Sequence, residues 1–245
     1  MAAAIMRGVR VAAGARDQAF WRVYAALYDA IWAVSPATAA IDAWLTERLS
    51  PPVGPAAVCL DVGCGTGLSA WAVRGAGWRV VGVERSGAML VRACRVGRID
   101  EALQADAADP AASAWAIPPA DAAILVNVLQ FCADPAIALD AVLRVVRPVG
   151  PILVVVPSDR AAIGALAAFE LRHGRPWAGT MAAALARWVV GVLGACAGVT
   201  CWDARVVDQE IRRAAARWGR ACTVARINEL SVGYELHGRD LGSRS

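Results

Sequence analysis

A glycine-rich turn follows an apolar segment near residue 60. Asp61–Gly67 reads DVGCGTG, with glycines at 63, 65 and 67 and a carboxylate two residues before the first. Glycines let the backbone turn sharply and let a ligand contact main-chain groups directly. The spacing is GxGxG, whereas a dinucleotide loop that packs a pyrophosphate on a helix N-terminus favours GxGxxG. The turn therefore predicts a ligand site, and its acid favours a ligand with cationic groups.

From about Ala57 to Gly238 the chain resembles the class I S-adenosylmethionine (SAM) dependent methyltransferases, especially their small-molecule, type 11-like branch. Asp61–Gly67 matches the first motif of that family. Glu84 stands 17 residues after Gly67, where the family places an acid for the ribose hydroxyls. Residues 104–107 (QADA) are similar to the third-strand motif, whose aspartate meets the adenine amino group, and residues 144–150 (RVVRPVG) to the turn before strand five.

The resemblance implies S-adenosyl-L-methionine as the cofactor. Asp106 is the expected adenine contact, with Asp109 as its competitor, because ADP follows the motif at 108–110 in place of the family's Leu-Pro pair. The full set of cofactor-binding residues predicted in this way is Tyr28, Asp61, Gly63, Cys64, Gly65, Gly67, Glu84, Arg85, Asp106, Ala107 and Asn127.

Methyl transfer is an in-line displacement at carbon, so the enzyme mainly aligns the nucleophile and excludes water. A general base is optional and depends on the acceptor. His173 is the candidate base, because it falls in the segment after strand five where relatives build the acceptor pocket; a surface-loop histidine is the alternative. With few histidines and no CxxC pair, we expect no metal site.

The elements that must position these residues alternate between apolar strands and helices. This alternation predicts an α/β fold, a doubly wound, mostly parallel, Rossmann-like sheet with a C-terminal antiparallel hairpin, N-terminal helices and a helical insertion after strand five. The predicted strands are Ala57–Leu60, Arg79–Val83, Ala102–Ala105, Ala122–Val126, Ile152–Val156, Cys222–Ile227 and Tyr234–His237. The predicted helices are Phe20–Ala33, Ser35–Leu49, Leu68–Arg74, Ser86–Arg95, Pro135–Val146, Arg160–Leu171 and Asp203–Trp218.

The domain organisation follows from these elements. Residues 1–19 are predicted as a disordered leader, with a transit peptide as the alternative, and residues 20–245 as a single methyltransferase domain. Residues 158–202 form its helical lid or acceptor insertion. Within it, the apolar stretch Met181–Cys196 has three interpretations: a pocket wall, a dimer interface or a membrane-surface patch. We favour a buried wall or an interface, because only Arg187 interrupts the stretch.

Composition limits the partners. The 245 residues carry a net charge of +4, and the arginines that supply all the basic charge form no block, so we expect no nucleic acid. No run approaches 18 strongly apolar residues, so we expect no integral membrane association. Seven cysteines without a pairing pattern indicate a reducing, cytoplasmic compartment.

The favoured function is methylation of a small, bulky and apolar acceptor, by a chain that is a possible homodimer. Two alternatives stay open: a nicotinamide-dependent oxidoreductase, which Glu84 would serve equally well, and a non-catalytic SAM-fold subunit that only binds a partner. The GxGxG spacing speaks against the first, and the intact glycine turn against the second.

Overall fold

One eight-stranded sheet forms the centre of the protein. The computed structural model describes residues 5–8, 15–52, 54, 57–109, 115, 117, 119–159, 162–199 and 201–238. The strands are β1 (Ile5–Gly8), β2 (Val58–Val62), β3 (Arg79–Glu84), β4 (Glu101–Gln104), β5 (Ala122–Val126), β6 (Ile152–Pro157), β7 (Arg220–Asn228) and β8 (Ser231–Gly238). Their spatial order is β1-β4-β3-β2-β5-β6-β8-β7.

Helices cover the sheet and extend beyond it. They are α1 (Ala15–Trp32), α2 (Pro36–Arg48), α3 (Leu68–Gly75), α4 (Gly87–Arg95), α5 (Pro135–Val145), α6 (Ile163–Arg172), α7 (Trp177–Cys196) and α8 (Ala204–Arg217). Side-chain caps start several of them: Ser86 accepts from the Met89 amide, and Asp134 accepts from the Ala136 amide at 2.8 Å. Such caps satisfy backbone donors that have no partner within the helix.

The strand order creates a switch point beside β2. From β2 the chain runs to β3 and β4 on one side and to β5 and β6 on the other, with all these pairs parallel. The β7–β8 hairpin then adds antiparallel to β6. In open α/β sheets of this kind, ligands bind at the carboxyl ends of the strands at the switch point. The doubly wound sheet, the terminal hairpin and the helices after the fifth parallel core strand are thus confirmed.

Apolar strands hold the sheet between two layers. All five residues of β2 are buried, and β5 and β6 are buried except at their last residues. One side packs on α5 and α8, and the other on α2, α3 and α4. Burial on both faces is the reason that these strands read as continuous apolar runs.

The N-terminus differs from the predicted disordered leader, 1–19. Ile5–Gly8 forms β1, parallel to β4, and α1 already begins at Ala15. An open edge of β4 offers backbone groups to any extended segment, which explains a strand without a strong apolar signal. The rest of the predicted leader, residues 1–4 and 9–14, lies outside the described residues.

The apolar stretch at 181–196 belongs to a longer helix that is mostly exposed. By length and composition α7 is the one helix in the described part of the chain that is able to cross a membrane, yet only 28% of its most apolar window is buried. The expectation of a buried wall is therefore wrong, because α7 packs along α1 and α6 and leaves an apolar face outward. The alternative, an interface, stays a prediction.

Candidate functional site

The glycine turn joins β2 to α3 at the switch point. Gly63 and Cys64 donate their amides to the Val83 carbonyl, at 2.7 and 3.1 Å, which fixes the turn against β3. Gly63 and Gly65 have φ values of +69° and +54°, the left-handed region that favours glycine. A Cβ on Gly63 would stand 2.1 Å from Val128, whereas one on Gly65 would meet no atom within 4 Å. The turn therefore exposes bare backbone to open space.

Glu84, at the end of β3, holds the turn from the neighbouring strand. Its carboxylate accepts from the Gly65 amide at 3.2 Å and from the Ser86 amide at 2.7 Å. Burial raises the pKa of Glu84, although both backbone hydrogen bonds oppose the rise. Each carboxylate oxygen has further lone pairs, so the group can accept additional donors from a ligand.

Two more carboxylates lie behind the turn. Asp61 is 2% exposed, and burial together with the nearby charges of Glu84 and Asp42 raises its pKa to about 8. Burial also raises the pKa of Asp42 to about 6, although a hydrogen bond with Ser69 opposes this. Like charges buried together disfavour ionisation. A cationic ligand beside them would therefore be stabilised by the ionised carboxylates.

A cavity of about 320 Å³ opens in front of the turn. This volume lies at the lower end of the range of about 300–1,000 Å³ typical of small-molecule sites. Its charged end is built from the turn and the ends of β3 and β4, and the remainder is aromatic or apolar. The residues of the charged end are Gly63, Gly65, Glu84, Arg85, Asp106 and Ala107.

Helix α1 closes the cavity from above. Its residues Trp21, Tyr24, Tyr28 and Trp32 stand at successive turns and contact one another edge to face or tilted. The Trp32 indole donates to the Tyr24 hydroxyl at 2.8 Å. Burial raises the pKa of Tyr24 despite this hydrogen bond, so Tyr24 is neutral at ordinary pH. The four rings form a rigid apolar ceiling.

The far end of the cavity lies below α2, α6 and the β7–β8 turn. Its walls are apolar or carry single uncharged polar groups; they include Ala37, Thr38, Ile41, Leu166, Leu230 and Ser231. No charged residue lines this end among the residues that the structure describes. Such a compartment suits an apolar molecule that meets the ligand of the charged end.

A buried charge network fixes the helices at this end. Glu170 is fully buried and accepts from Ser35 at 2.7 Å, Arg175 at 2.7 Å and Arg187 at 2.6 Å. Burial alone would raise its pKa, but the hydrogen bonds of Arg187 and Ser35 lower it below the usual value. Arg187 also stacks over the Trp32 ring at 4.6 Å. The network thereby ties α6 and α7 to the end of α1.

Comparison with known proteins identifies the domain. Residues 60–154 match the family described as a methyltransferase domain, and a search of curated proteins found no match. The fold is similar to that of DhpI in complex with SAH (18% identity, TM-score 0.58, 91% of this chain and 95% of that chain). It is also similar to magnesium protoporphyrin IX methyltransferase from Synechocystis PCC 6803 with bound SAM (14% identity, TM-score 0.56, 93% of this chain and 99% of that chain). A third similar structure is that of geranyl diphosphate C-methyltransferase from Streptomyces coelicolor A3(2) (17% identity, TM-score 0.54, 82% of this chain and 76% of that chain).

Residues 60–154 form a methyltransferase domain. The match covers the glycine turn, Glu84 and Asp106, and ends inside β6. The cavity of this methyltransferase fits SAM on three counts. It has open space beside Gly65. The buried carboxyl group of Asp61 has a pKa that burial and neighbouring carboxylates raise. The side-chain oxygen of Asn127 is buried without a hydrogen-bond partner.

Eight of the eleven predicted cofactor residues of the methyltransferase line the cavity, and three do not. Asp61, Cys64 and Gly67 do not line it. The Cys64 sulfur packs at the place of a side chain on Gly82, 2.8 Å from a Cβ there, so it faces the core. Gly67 is the N-cap of α3. Cofactor binding by these three residues stays a prediction.

The third motif and Asn127 meet the cavity as the methyltransferase pattern implies. Asp106 lines it and caps its own turn through the Ala108 amide at 2.9 Å, while Asp109 is exposed and does not line it. Asn127 has a φ of +52°, the only positive φ of a non-glycine residue in the described ranges. Such backbone strain often accompanies a functional position.

The structure does not bring His173 to the cavity. It caps the end of α6, where its ring stacks on Phe169 at 4.0 Å and Nδ1 contacts the Phe169 carbonyl at 2.8 Å. His173 is exposed, so its proposed role as a base of the methyltransferase is withdrawn. Across the described ranges, no cluster of three His, Cys, Asp or Glu side chains is arranged to hold a metal ion.

Sequence reasoning missed several residues of the methyltransferase cavity. Met89, Gln130 and Phe131 line it outside the far end, and Ile41 and Leu230 line the far end. The aromatic repeat of α1 at helical spacing was a detectable signal. The far end of the cavity had no such signal in the sequence, because residues from three distant segments meet there only in the folded chain.

Proposed function

We propose that this methyltransferase transfers the methyl group of SAM to a small, apolar acceptor molecule. One observation carries the proposal: a single cavity joins a carboxylate-rich end at the glycine turn to an aromatic and apolar end without charged residues. The first end complements the sulfonium, ammonium and ribose of SAM, and the second complements an apolar molecule.

The charged end is proposed to bind the cofactor residue by residue. Glu84 accepts the ribose hydroxyls, since its carboxylate faces the cavity and retains free lone pairs. Asp106 accepts the adenine amino group from the neighbouring strand. The turn at Gly63 and Gly65 contacts the amino-acid portion through main chain, with Asp61 supplying negative potential from behind.

The catalytic work of the chain is alignment and exclusion of water. Bound SAM supplies a methyl group on an activated leaving group. The ceiling of Trp21, Tyr24, Tyr28 and Trp32 separates the reacting atoms from solvent. An enclosed, dry site strengthens electrostatic attraction and holds reactants at reacting distance.

The far end supports an acceptor that needs no strong base. In the described part of the cavity wall, its polar groups are the neutral side chains of Thr38 and Ser231, together with Tyr24 of the ceiling. These groups can orient an acceptor by hydrogen bonds but do not remove a proton from a weak acid. We therefore propose an acceptor whose nucleophilic atom is already ionised or is electron-rich without losing a proton. We also propose that the reaction takes place in the cytoplasm.

The decisive experiment measures S-adenosylhomocysteine release from SAM with a panel of acceptors that share one nucleophilic group and increase in apolar size. Turnover that rises with apolar size supports the proposal. Turnover only with charged polar acceptors would contradict the apolar assignment. Parallel titration with SAM and NADH separates the methyltransferase from an oxidoreductase, since only SAM should bind.

A further inference from the structure

Gln130 lines the cavity, and its side-chain oxygen is buried without a hydrogen-bond partner. The residue is 4% exposed and belongs to a short helical turn, Leu129–Phe131, that follows β5. Buried polar side chains nearly always have a partner, because an unpaired group has lost its hydrogen bonds to water without replacement. The oxygen of Gln130 therefore lacks a donor that a molecule bound in the cavity can supply.

The backbone that carries Gln130 is fixed on two sides. The amide of Trp202 donates to the Gln130 carbonyl at 2.8 Å, and the Trp202 indole donates to the Cys132 carbonyl at 2.8 Å. On the other side the Phe131 ring contacts Trp21 of α1 edge to face, with 5.9 Å between the ring centroids. Gln130 thus lies next to the point where this loop meets the cavity ceiling.

Tyr24 supplies a free proton donor in that ceiling. The indole N–H of Trp32 can only donate, so the Tyr24 hydroxyl is the acceptor in their hydrogen bond of 2.8 Å. No acceptor for the hydroxyl's own proton is found among the residues that the structure describes. A hydroxyl that already accepts one hydrogen bond is a stronger donor. The Tyr24 ring also contacts Trp21, at 5.9 Å, and Trp21 is the residue that meets Phe131.

The cavity therefore offers one unpaired donor and one unpaired acceptor. A hydroxyl group complements both, since its oxygen can accept from Tyr24 while its proton is donated to Gln130. A ketone or an ether can only accept, which leaves Gln130 unpaired, and a hydrocarbon leaves both groups unpaired. An ammonium group can only donate, which leaves Tyr24 without an acceptor.

We propose that Tyr24 and Gln130 bind a hydroxyl group of the acceptor, which makes the acceptor an apolar alcohol or phenol. The inference rests on the proposed function, because it assigns two residues to the acceptor of that same cavity. The hydroxyl orients the acceptor and keeps its proton, in accord with the neutral polar groups of the described cavity wall. Tyr24 and Gln130 are specificity-determining residues in this account.

The test compares two probes with the same carbon skeleton, para-ethylphenol and para-ethyltoluene. Each is titrated calorimetrically into the full chain saturated with S-adenosylhomocysteine. An apolar cavity without hydrogen-bonding groups would favour para-ethyltoluene, since the phenol hydroxyl would leave water without a new partner. We expect the wild type to bind para-ethylphenol at least about threefold more tightly, because Tyr24 and Gln130 replace the lost hydrogen bonds.

Two variants assign the preference to these side chains. Gln130→Leu should abolish the preference for para-ethylphenol and leave the affinity for S-adenosylhomocysteine unchanged. It should also be at least as stable in urea as the wild type, because it removes an unpaired buried oxygen. Tyr24→Phe keeps the ring, removes the donor and should reduce the preference as well. Gln209→Leu, at an exposed position of α8, is the matched control and should behave as the wild type.

Several results would overturn the hydroxyl assignment. They are binding of neither probe by the wild type, equal affinity for both, or tighter binding of para-ethyltoluene. A less stable Gln130→Leu that keeps the preference would make Gln130 a structural residue, and one that loses affinity for S-adenosylhomocysteine would place Gln130 in the cofactor site. A wild type that does not bind S-adenosylhomocysteine contradicts the proposed function itself, whereas binding of para-ethyltoluene without a preference removes only the role of Tyr24 and Gln130.

Discussion

The carboxylate of Asp29 accepts a hydrogen bond of 2.7 Å from the hydroxyl of Thr66, and so joins α1, which carries the cavity ceiling, to the glycine turn. Arg98 and Arg92 donate to the same carboxylate at 2.8 Å each. These hydrogen bonds lower the pKa of Asp29 although burial opposes them. The ceiling and the floor of the cavity are therefore held together by one ionised side chain.

Asp29→Ala should loosen α1 over the cavity and weaken SAM binding by about five- to fiftyfold. The variant loses up to three hydrogen bonds to a charged group, each contributing about 1.5–3 kcal/mol before solvent compensates part of the loss. Isothermal calorimetry with SAM measures the effect. Glu210→Ala, which removes the exposed ion pair with Arg213, is the control and should bind normally. Equal affinity in both variants would show that α1 does not contribute to binding.

Gly65→Ala should fold and fail to bind SAM tightly. The added methyl meets no protein atom within 4 Å but projects into the space proposed for the ligand, so we expect at least about tenfold lower affinity. Gly219→Ala is the matched control, with φ +64° and open space outside the cavity. Both substitutions should lower stability similarly, by about 1 kcal/mol, from left-handed strain. Parallel loss of affinity in the control would attribute the effect to strain alone.

SAM affinity should rise as the pH increases from 6.5 to 8.5. The pKa of Asp61 is about 8, so a proton occupies it below that pH, whereas the SAM cation favours the ionised carboxylate. Binding near pH 7 should therefore release a proton. Calorimetry in two buffers of different ionisation enthalpy detects that proton as a difference in apparent binding enthalpy. Identical enthalpies in the two buffers would exclude Asp61 as a partner of the cation.

The same group should make the free protein less stable as the pH rises. The native state keeps a proton on Asp61 up to about pH 8, while an unfolded chain loses it near pH 3.9, so the unfolding free energy declines between these values. Asp61→Asn should remove this decline in stability, and it should also remove the release of a proton on SAM binding. Denaturant unfolding at pH 5.5 and 8.5 tests it. A wild-type decline that persists unchanged in Asp61→Asn would assign the effect to another group.

Glu170→Gln should destabilise the protein by about 3–5 kcal/mol, because it leaves Arg187 and Arg175 buried beside a neutral group. Urea unfolding measures the loss. Arg172→Ala, which breaks the exposed pair with Glu229, should change stability by at most about 1 kcal/mol. Comparable effects of the two substitutions would mean that solvent reaches the Glu170 network.

Much of the fold was predictable because local patterns determine it. The apolar runs around 58, 80, 123 and 153 lie in strands buried on both faces, and Ser86 and Asp134 cap the helices that follow. Strand β1 was missed, since its pairing with the edge of β4 depends on long-range contact and not on its own four residues. Residues 181–196 were described only as an apolar stretch, and the structure places them in α7, which begins at Trp177.

The charged end of the cavity was predictable from the sequence, and its far end was not. Gly63, Gly65, Glu84 and Asp106 carry their signal in local motifs at strand ends, where the fold brings them to one edge. Asp61 and Cys64 belong to the same motif but do not line the cavity. His173 was wrong because a histidine that ends a helix can satisfy its ring within that helix.

Glu84→Ala tests the central claim most directly, because the claim is that a carboxylate at the end of β3 binds the sugar of SAM beside the glycine turn. Calorimetric titration of the folded variant should give a dissociation constant at least about tenfold above that of the wild type, corresponding to a loss of about 1.4 kcal/mol or more. Unchanged affinity in a variant with a native circular dichroism spectrum, or a wild type that ignores millimolar SAM, would contradict the assignment of this cavity to the cofactor.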